Sequence, residues 1–458
     1  MMADQLTRDR GQMRRMFVSV MALFFINFFE MGVLKSFSVL VDDLVIQLNT
    51  NLGTIGAIVG IYNGITYALA PFIAPFVNIM SVPLISVICA VGSMSLSLAY
   101  LASDVIQFGT VCLLSGICYS VVRLGGVILF YKNVRRNFSI TFGIADTGNA
   151  IGMMTVPILT EFFLETYGWN GTILLLGGLL FQNSIFLLLM KERPLEPHDD
   201  DDDNDNSETQ ETRVSRPVDS EAEDDVFDED DDLLQRSLDG GGRPHATTPS
   251  PSIWRCCYCI YSYFGLSLFF ECRYTIVVML LMVFLGMVNT SWLVFLIPHG
   301  VSRGFRLSRA VFLATCGGFG NVLGRVIQGP IIDWEWMTSL DLTIIFTAIN
   351  AVVFLVDPLV FDFVLLCIAA FVGGITIGAR TTLTVVIAKE YFPPDTFSTV
   401  YGLQCLFYSV GEPLGGILAG WLANRMSFSV SFMVLGGVEV LTILVLMPTR
   451  YLINRNTT

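Results

Sequence analysis

The sequence is short of charge and shorter still of histidine. Of 458 residues only 14% are Asp, Glu, Lys or Arg, and the three histidines are His198, His245 and His299. Two of these fall in or beside one acidic stretch, so imidazole catalysis and histidine-rich metal sites have little to draw on. No H-E-x-x-H, Walker-type or G-x-S-x-G pattern occurs, which removes the common hydrolase and nucleotide-binding readings. An enzyme is not expected, nor a cofactor, a metal or a nucleic-acid partner. The ten cysteines are scattered, and Cys89, Cys112, Cys118, Cys316 and Cys367 lie in apolar runs. That placement fits buried thiols and not a disulfide framework. No cleavable leader pattern opens the chain; the apolar run from Met16 is long enough to span a bilayer and should stay as a helix.

What the sequence has is apolar length. It is 53% hydrophobic with 35 phenylalanines, and its mean hydropathy is +0.64. Those values point to several membrane spans. The net charge of −14 belongs to one segment: residues 199–232 carry 18 acids and two arginines, or −16, leaving about +2 for the rest.

Runs of about 20 apolar residues, each able to cross about 30 Å of hydrocarbon, fall near 16–41, 53–77, 82–102, 106–130, 137–163 and 171–190. A second set falls near 274–298, 309–331, 340–359, 362–388, 397–422 and 428–448. The expected fold is an all-α polytopic membrane protein, with twelve transmembrane helices in two six-helix halves. Its parts are an N-terminus (1–15), one half (16–194), an acidic linker (195–252), a second half with a preceding interfacial segment (253–449) and a tail (450–458).

Lys and Arg gather on one side: Arg8, Arg10, Arg14 and Arg15, then Lys132, Arg135 and Arg136, then Lys191, Arg193, Lys389, Arg450 and Arg455. The other side holds Arg303, Arg306, Arg309 and Arg425. The positive-inside rule then puts both termini and the linker in the cytoplasm. The linker composition is that of a disordered tether. Within it Glu229 precedes Leu233-Leu234 at the spacing of an acidic dileucine signal, which would send a pool to endosomes. Cys256, Cys257 and Cys259 stand beside Tyr258, Tyr261, Tyr263 and Phe264. Palmitoylation and plain interfacial packing both account for that cluster.

The stretch from Tyr119 to Gly152 carries Arg123 and Asp146 in apolar runs on either side of the basic Lys132–Arg136 loop. It has an echo. Gly116, Arg123 and Lys132 recur 257 residues later as Gly373, Arg380 and Lys389. After a two-residue slip, Phe138-Ser139, Gly143 and Gly152 recur as Phe397-Ser398, Gly402 and Gly411. Two parallel halves of this kind are the arrangement of major facilitator transporters, whose site lies between the halves.

At this point the sequence resembles the monocarboxylate transporter family of the major facilitator superfamily. Gly32-Val33-Leu34-Lys35-Ser36-Phe37 is similar to the first-helix segment with the family's substrate lysine. Phe130-Tyr131-Lys132 through Gly152 is similar to its fifth-helix motif. Tyr167-Gly168-Trp169-Asn170-Gly171 resembles its YxWRG-type turn, with Asn170 in place of arginine. Gly411-Glu412-Pro413 and Gly415 to Leu422 resemble the end of its eleventh helix, where proline is usual at 412. The acidic motif that opens the family's first helix is absent. In the eighth helix, Asn321 and Arg325 stand where proton-coupled members carry Asp and Arg.

The resemblance implies carriage of a small organic anion (a monocarboxylate), a plasma-membrane location and an accessory single-span membrane protein. It implies Lys35 and Arg325 as substrate ligands, with Tyr67, Asn149, Asn321, Arg380 and Thr381 near the cavity. An amide at 321 cannot titrate, so transport is expected to be uncoupled or atypically coupled: Glu412, Glu30 or Asp146 carries the proton, or transport is uncoupled facilitation, or another ion is used. Amino acids, other zwitterions or aromatic acids are the alternative cargo, and a non-transporting sensor the alternative role.

The residues themselves carry one more expectation. A charge at the bilayer centre costs about 2.5–3.5 kcal/mol on insertion scales, so it needs a partner. Counting about 1.5 Å per residue from the basic loop puts Arg123 and Asp146 at one depth, about 14 Å in. A structural Arg123–Asp146 ion pair is therefore expected.

Overall fold

The computed structural model describes residues 2–50, 52–134, 137–190, 268–269 and 274–457. The linker 195–252, the dileucine pattern at Leu233-Leu234 and the cluster at Cys256, Cys257 and Cys259 lie outside the described residues.

Apolar runs without strand-like alternation form helices throughout. In chain order these are α1 (Met2–Gln47), α2 (Leu52–Ala68), α3 (Ala70–Ile79), α4 (Val82–Leu98), α5 (Val105–Asn133) and α6 (Phe138–Leu189). The second half holds α7 (Thr275–Ser302), α8 (Leu307–Asp333), α9 (Ser339–Val356), α10 (Phe363–Tyr391), α11 (Phe397–Arg425) and α12 (Phe428–Thr457). Nine helices among the described residues are long and apolar enough to cross a membrane, or ten when α2 and α3, bent by 50°, count as one span. The 52-residue α6 is two rods, broken where Gly168 takes φ 67°. That value is open to glycine without steric cost. Split there, and counted with α11, the described helices make twelve rods in the order the sequence implies. The least distinct boundary in the sequence, around Asp357-Pro358, is a 3-10 turn with Asp362 capping α10 through the amides of Val364 and Leu365.

The repeated glycines explain themselves in space. A Cβ on Gly152 would sit 2.1 Å from the Phe28 carbonyl of α1, and one on Gly411 2.1 Å from the Val283 carbonyl of α7. Each repeat copy thus presses its first helix against its fifth. Gly143 and Gly402 serve the seam between the halves instead. A Cβ on Gly143 would meet the Arg325 carbonyl of α8 at 2.2 Å, and one on Gly402 the Ala70 carbonyl of α3 at 3.1 Å. Without a hydrophobic drive between helices in lipid, such close backbone approach is what associates them.

The seam closes at the end that carries the basic loop. There Asp333 of α8 accepts hydrogen bonds from the amides of Ser139 (3.2 Å) and Ile140 (2.8 Å), the first turn of α6. An acid on exposed amides at a helix N-terminus is the favourable placement. Asn78 donates to Ser398 at 2.6 Å, Tyr131 stacks on Phe397 at 3.9 Å, and Lys389 lies 4.3 Å over the Phe138 ring. Farther along, Asn63 of α2 donates to Glu412 near the middle of α11.

Replacing Gly411 by leucine is expected to destabilise the second half by about 1–3 kcal/mol through overpacking, read as a lower thermal midpoint in detergent. Gly178→Ala, where a Cβ meets nothing within 4 Å, should leave the midpoint unchanged or raised.

Candidate functional site

Two polar clusters lie between the halves at mid-helix, and a third lies within the second half. In the first, Arg123 of α5 donates to Glu30 of α1 at 2.6 Å. The guanidinium lies 4.1 Å over the ring of Tyr67 from α2, and Tyr67 meets Tyr408 of α11 at 5.5 Å between centroids. Asn289 of α7 donates to the Tyr408 hydroxyl. Beside them Glu412 accepts from Asn63 at 3.3 Å. An amide satisfies a carboxylate oxygen without neutralising it, and Glu412 has no ion-pair partner among the described residues.

In the second cluster, Arg325 of α8 is ion-paired to Asp146 of α6. Its Nε donates to Asn321, one turn earlier on α8, at 2.9 Å. Asp146 also accepts from Thr382 of α10 at 2.9 Å and from Asn149 at 2.6 Å. The Asn149 side-chain oxygen, Oδ1, is buried and unpartnered. Asp146 and Arg325 are each 8% exposed. The Asp146 carboxylate takes three donors and the Arg325 guanidinium is held by Asn321 and Asp146, and such partnering is the condition on which buried charge persists.

In the third, both Arg380 amino groups donate to Glu439 of α12, at 2.6 and 2.7 Å. This is the bidentate fork. Asn350 donates to the same carboxylate at 2.6 Å.

These positions correct several expectations. The Arg123–Asp146 pair does not form: Arg123 faces α1 and α2, whereas Asp146 faces α8 and α10. Counting residues fixes depth, and depth carries no information about direction around the helix axis. Arg380 does not open on the space between the halves. It is 1% exposed and ties α10 to α12. Thr381 bonds back to the Gly378 carbonyl at 2.8 Å, and its neighbour Thr382 reaches Asp146 instead. Of the three carboxylates considered for the proton, Glu30 and Asp146 are each held by an arginine, and Glu412 by an amide alone.

Lys35 is exposed and has no ion-pair partner among the described residues. Asn27, also on α1, donates to the Ala145 carbonyl at 3.3 Å, which fixes its height beside Asp146. Lys35, eight residues on, therefore stands about 12 Å farther from the basic-loop end. Lys35 and Arg325 do not meet in this conformation. Asn63, Asn289, Tyr408 and Thr382 gave no signal in the sequence, where lone amides, tyrosines and threonines in apolar runs are unremarkable.

A helical bundle of two repeated halves, closed at one end with charged clusters at the seam, is the architecture of a secondary membrane transporter. The sequence pattern of the Major Facilitator Superfamily matches residues 21–360 and 342–457, and the chain belongs to that superfamily. It is a multi-pass membrane protein homologous to monocarboxylate transporters. Monocarboxylate transporter 12 of Rattus norvegicus is 22% identical over 329 residues, 70% of this chain and 62% of that protein. Monocarboxylate transporter 1 of Bos taurus is 26% identical over 288 residues, 60% of this chain and 53% of that protein. The chain thus spans less than two thirds of either, though the match to monocarboxylate transporter 12-B of Danio rerio covers 92% of this chain and 80% of that one. In fold it is similar to the human organic anion transporter MFSD10 (TM-score 0.62, 13% identity, covering 95% and 99% of the two chains). It is equally similar to the fucose:proton symporter FucP of E. coli (TM-score 0.62, 11% identity, covering 93% and 97%).

Glu439→Gln strands Arg380 without a counter-charge and should destabilise the protein by about 3–5 kcal/mol. The double change to Arg380→Met and Glu439→Met should recover most of that. Thermal unfolding in detergent without any ligand reads both, and equal midpoints for wild type and Glu439→Gln would return Arg380 to the list of substrate ligands.

Proposed function

We infer that the chain carries a small organic anion, of the monocarboxylate class, across a membrane by alternating access. The observation that supports this most is the environment of Arg325. Its guanidinium lies on the seam between the halves and already binds a carboxylate, that of Asp146. A substrate carboxylate has the same shape and charge, and arginine offers it a planar fork. Lys35 serves as an outer attractor for the anion on its way to Arg325, and Tyr67 and Asn149 contribute to the walls of the path. The positive-inside distribution supports termini in the cytoplasm, which makes the closed basic-loop end the cytoplasmic one and this conformation outward-facing. The plasma membrane, an endosomal pool and an accessory single-span partner remain part of this reading.

A second cargo class, amino acids and other zwitterions, is favoured by one feature. Glu412 is an acid at the seam with no ion-pair partner among the described residues, placed to meet an ammonium group while an arginine holds the carboxylate.

Counterflow into proteoliposomes bearing the full chain separates these readings, with labelled monocarboxylates, amino acids and other zwitterions offered in turn. Monocarboxylate counterflow is expected, reduced more than about tenfold in Arg325→Gln, as for truncating one partner of a buried charge pair. Lys35→Gln should mainly raise the half-saturating concentration. Transport of zwitterions alone, lost in Glu412→Gln, would replace the cargo class. Binding with no counterflow of any compound would make the protein a sensor.

A further inference from the structure

Among the described residues, Asp146 and Arg325 do something that the other buried pairs do not: they join the two halves. Glu30–Arg123 lies within the first half, and Arg380–Glu439 and Arg303–Asp357 lie within the second. Asp146 takes a second bond from across the seam, from the Thr382 hydroxyl at 2.9 Å. On α8 the residue one turn before the arginine is an amide, Asn321, whose oxygen fills the guanidinium's Nε position. Among the described residues, the guanidinium thus draws its only charged partner from the opposite half.

We propose that Asp146 is the proton-binding group of this carrier, and that its ionised form latches the halves together at the basic-loop end. The charged groups that face it are few. From α8 there is Arg325. From α10 Thr382 is uncharged, and from α11 Tyr401 lies within electrostatic range. From α1 the packed residues are Asn27, Phe24 and Phe28, none charged. On α6 itself Asn149 donates to it. A proton arriving from water on an Asp146 carboxyl oxygen removes the negative charge that is paired with Arg325. An uncompensated guanidinium in this buried place is costly, and a substrate carboxylate relieves that cost. Proton and anion therefore load together, the cross-seam pair is replaced by a pair between Arg325 and substrate, and the latch is released. Loss of both restores the Asp146–Arg325 pair and closes the seam again. Coupling thus survives the amide at 321, because the acid is supplied from the other half.

The latch does not rest on the substrate reading, whereas the coupling does, so two measurements keep them apart. The first is hydrogen exchange of the Ser139 and Ile140 amides, whose bonds to Asp333 cross the same seam. It is made on the purified full chain without ligand and corrected for intrinsic rate. In wild type, protection is expected to fall on acidification with a limiting slope of about tenfold per pH unit, that of one linked proton. Asp146→Asn should show low protection at neutral and mildly acidic pH alike. Protection in Asp146→Asn that matches wild type and still falls with acid would assign the titration to Asp333 and overturn the latch. Thr382→Val, a milder change, should move the fall in protection to higher pH; no movement counts against it.

The second measurement is gradient-driven uptake of labelled monocarboxylates. Asp146→Asn should lose the stimulation by an imposed pH gradient. Adding Asn321→Asp should restore it, because the acid again meets Arg325, while amide protection stays low, because an acid at 321 pairs with Arg325 within one helix and makes no ion pair across the seam. A pH-independent wild type, or gradient stimulation unchanged in Asp146→Asn, would overturn the coupling. Absence of monocarboxylate uptake in wild type, with pH-dependent protection intact, would sink the cargo assignment and leave the latch standing.

Discussion

Charge inside an apolar bundle has to be answered by charge, and this protein is organised by where each answer comes from. Arg123 finds its acid on α1, Arg380 on α12 and Arg303 at the end of α9, all within their own halves. Those pairs fix helices to helices and hold in any conformation that moves the halves as bodies. Arg325 finds Asp146 on the other half. Its pair is therefore made in one arrangement of the halves and broken in another. Free energy stored in that contact depends on conformation, which the energy of the other three does not.

The glycines decide how closely the helices can approach, and so which charges can meet at all. Gly143 lets α6 lie against α8 at the Arg325 carbonyl, directly beside the Asp146–Arg325 pair. A side chain there would hold the two backbones apart and lengthen every bond across the seam. Gly378 and Gly324, whose added Cβ atoms would meet the Asn321 and Ile375 carbonyls at 2.2 and 2.0 Å, clamp α8 to α10. That clamp places Thr382 and Arg325 on one surface, so that both reach the same carboxylate.

The duplicated stretch shows how two copies of one pattern diverge. Arg123 and Arg380 occupy matching positions, as do the glycines around them. Their acids do not match: Glu30 is on the first helix of its half, Glu439 on the last of its own. Arg123 remains 13% exposed at the side chain and keeps a tyrosine ring against its face, whereas Arg380 is sealed at 1%. One copy therefore keeps a cation at the seam, and the other has become a strut.

Apolar length, the spacing of the breaks between runs and the repeated Arg-x8-Lys were enough to give an all-helical membrane protein in two halves, because burial in lipid and backbone hydrogen bonding are local demands on each segment. They also gave the depth of Arg123 and Asp146, since helical rise is constant. Sequence alone did not determine the partners. Which acid meets which arginine depends on the rotation of each helix about its axis and on which neighbours pack against it, and both follow from contacts between segments hundreds of residues apart. That is why Arg123 and Asp146, equal in depth, were taken as a pair and turned out to face different helices. It is also why the amide at 321 read as a lost acid, when the fold places the carboxylate of Asp146 from the other half on the same guanidinium.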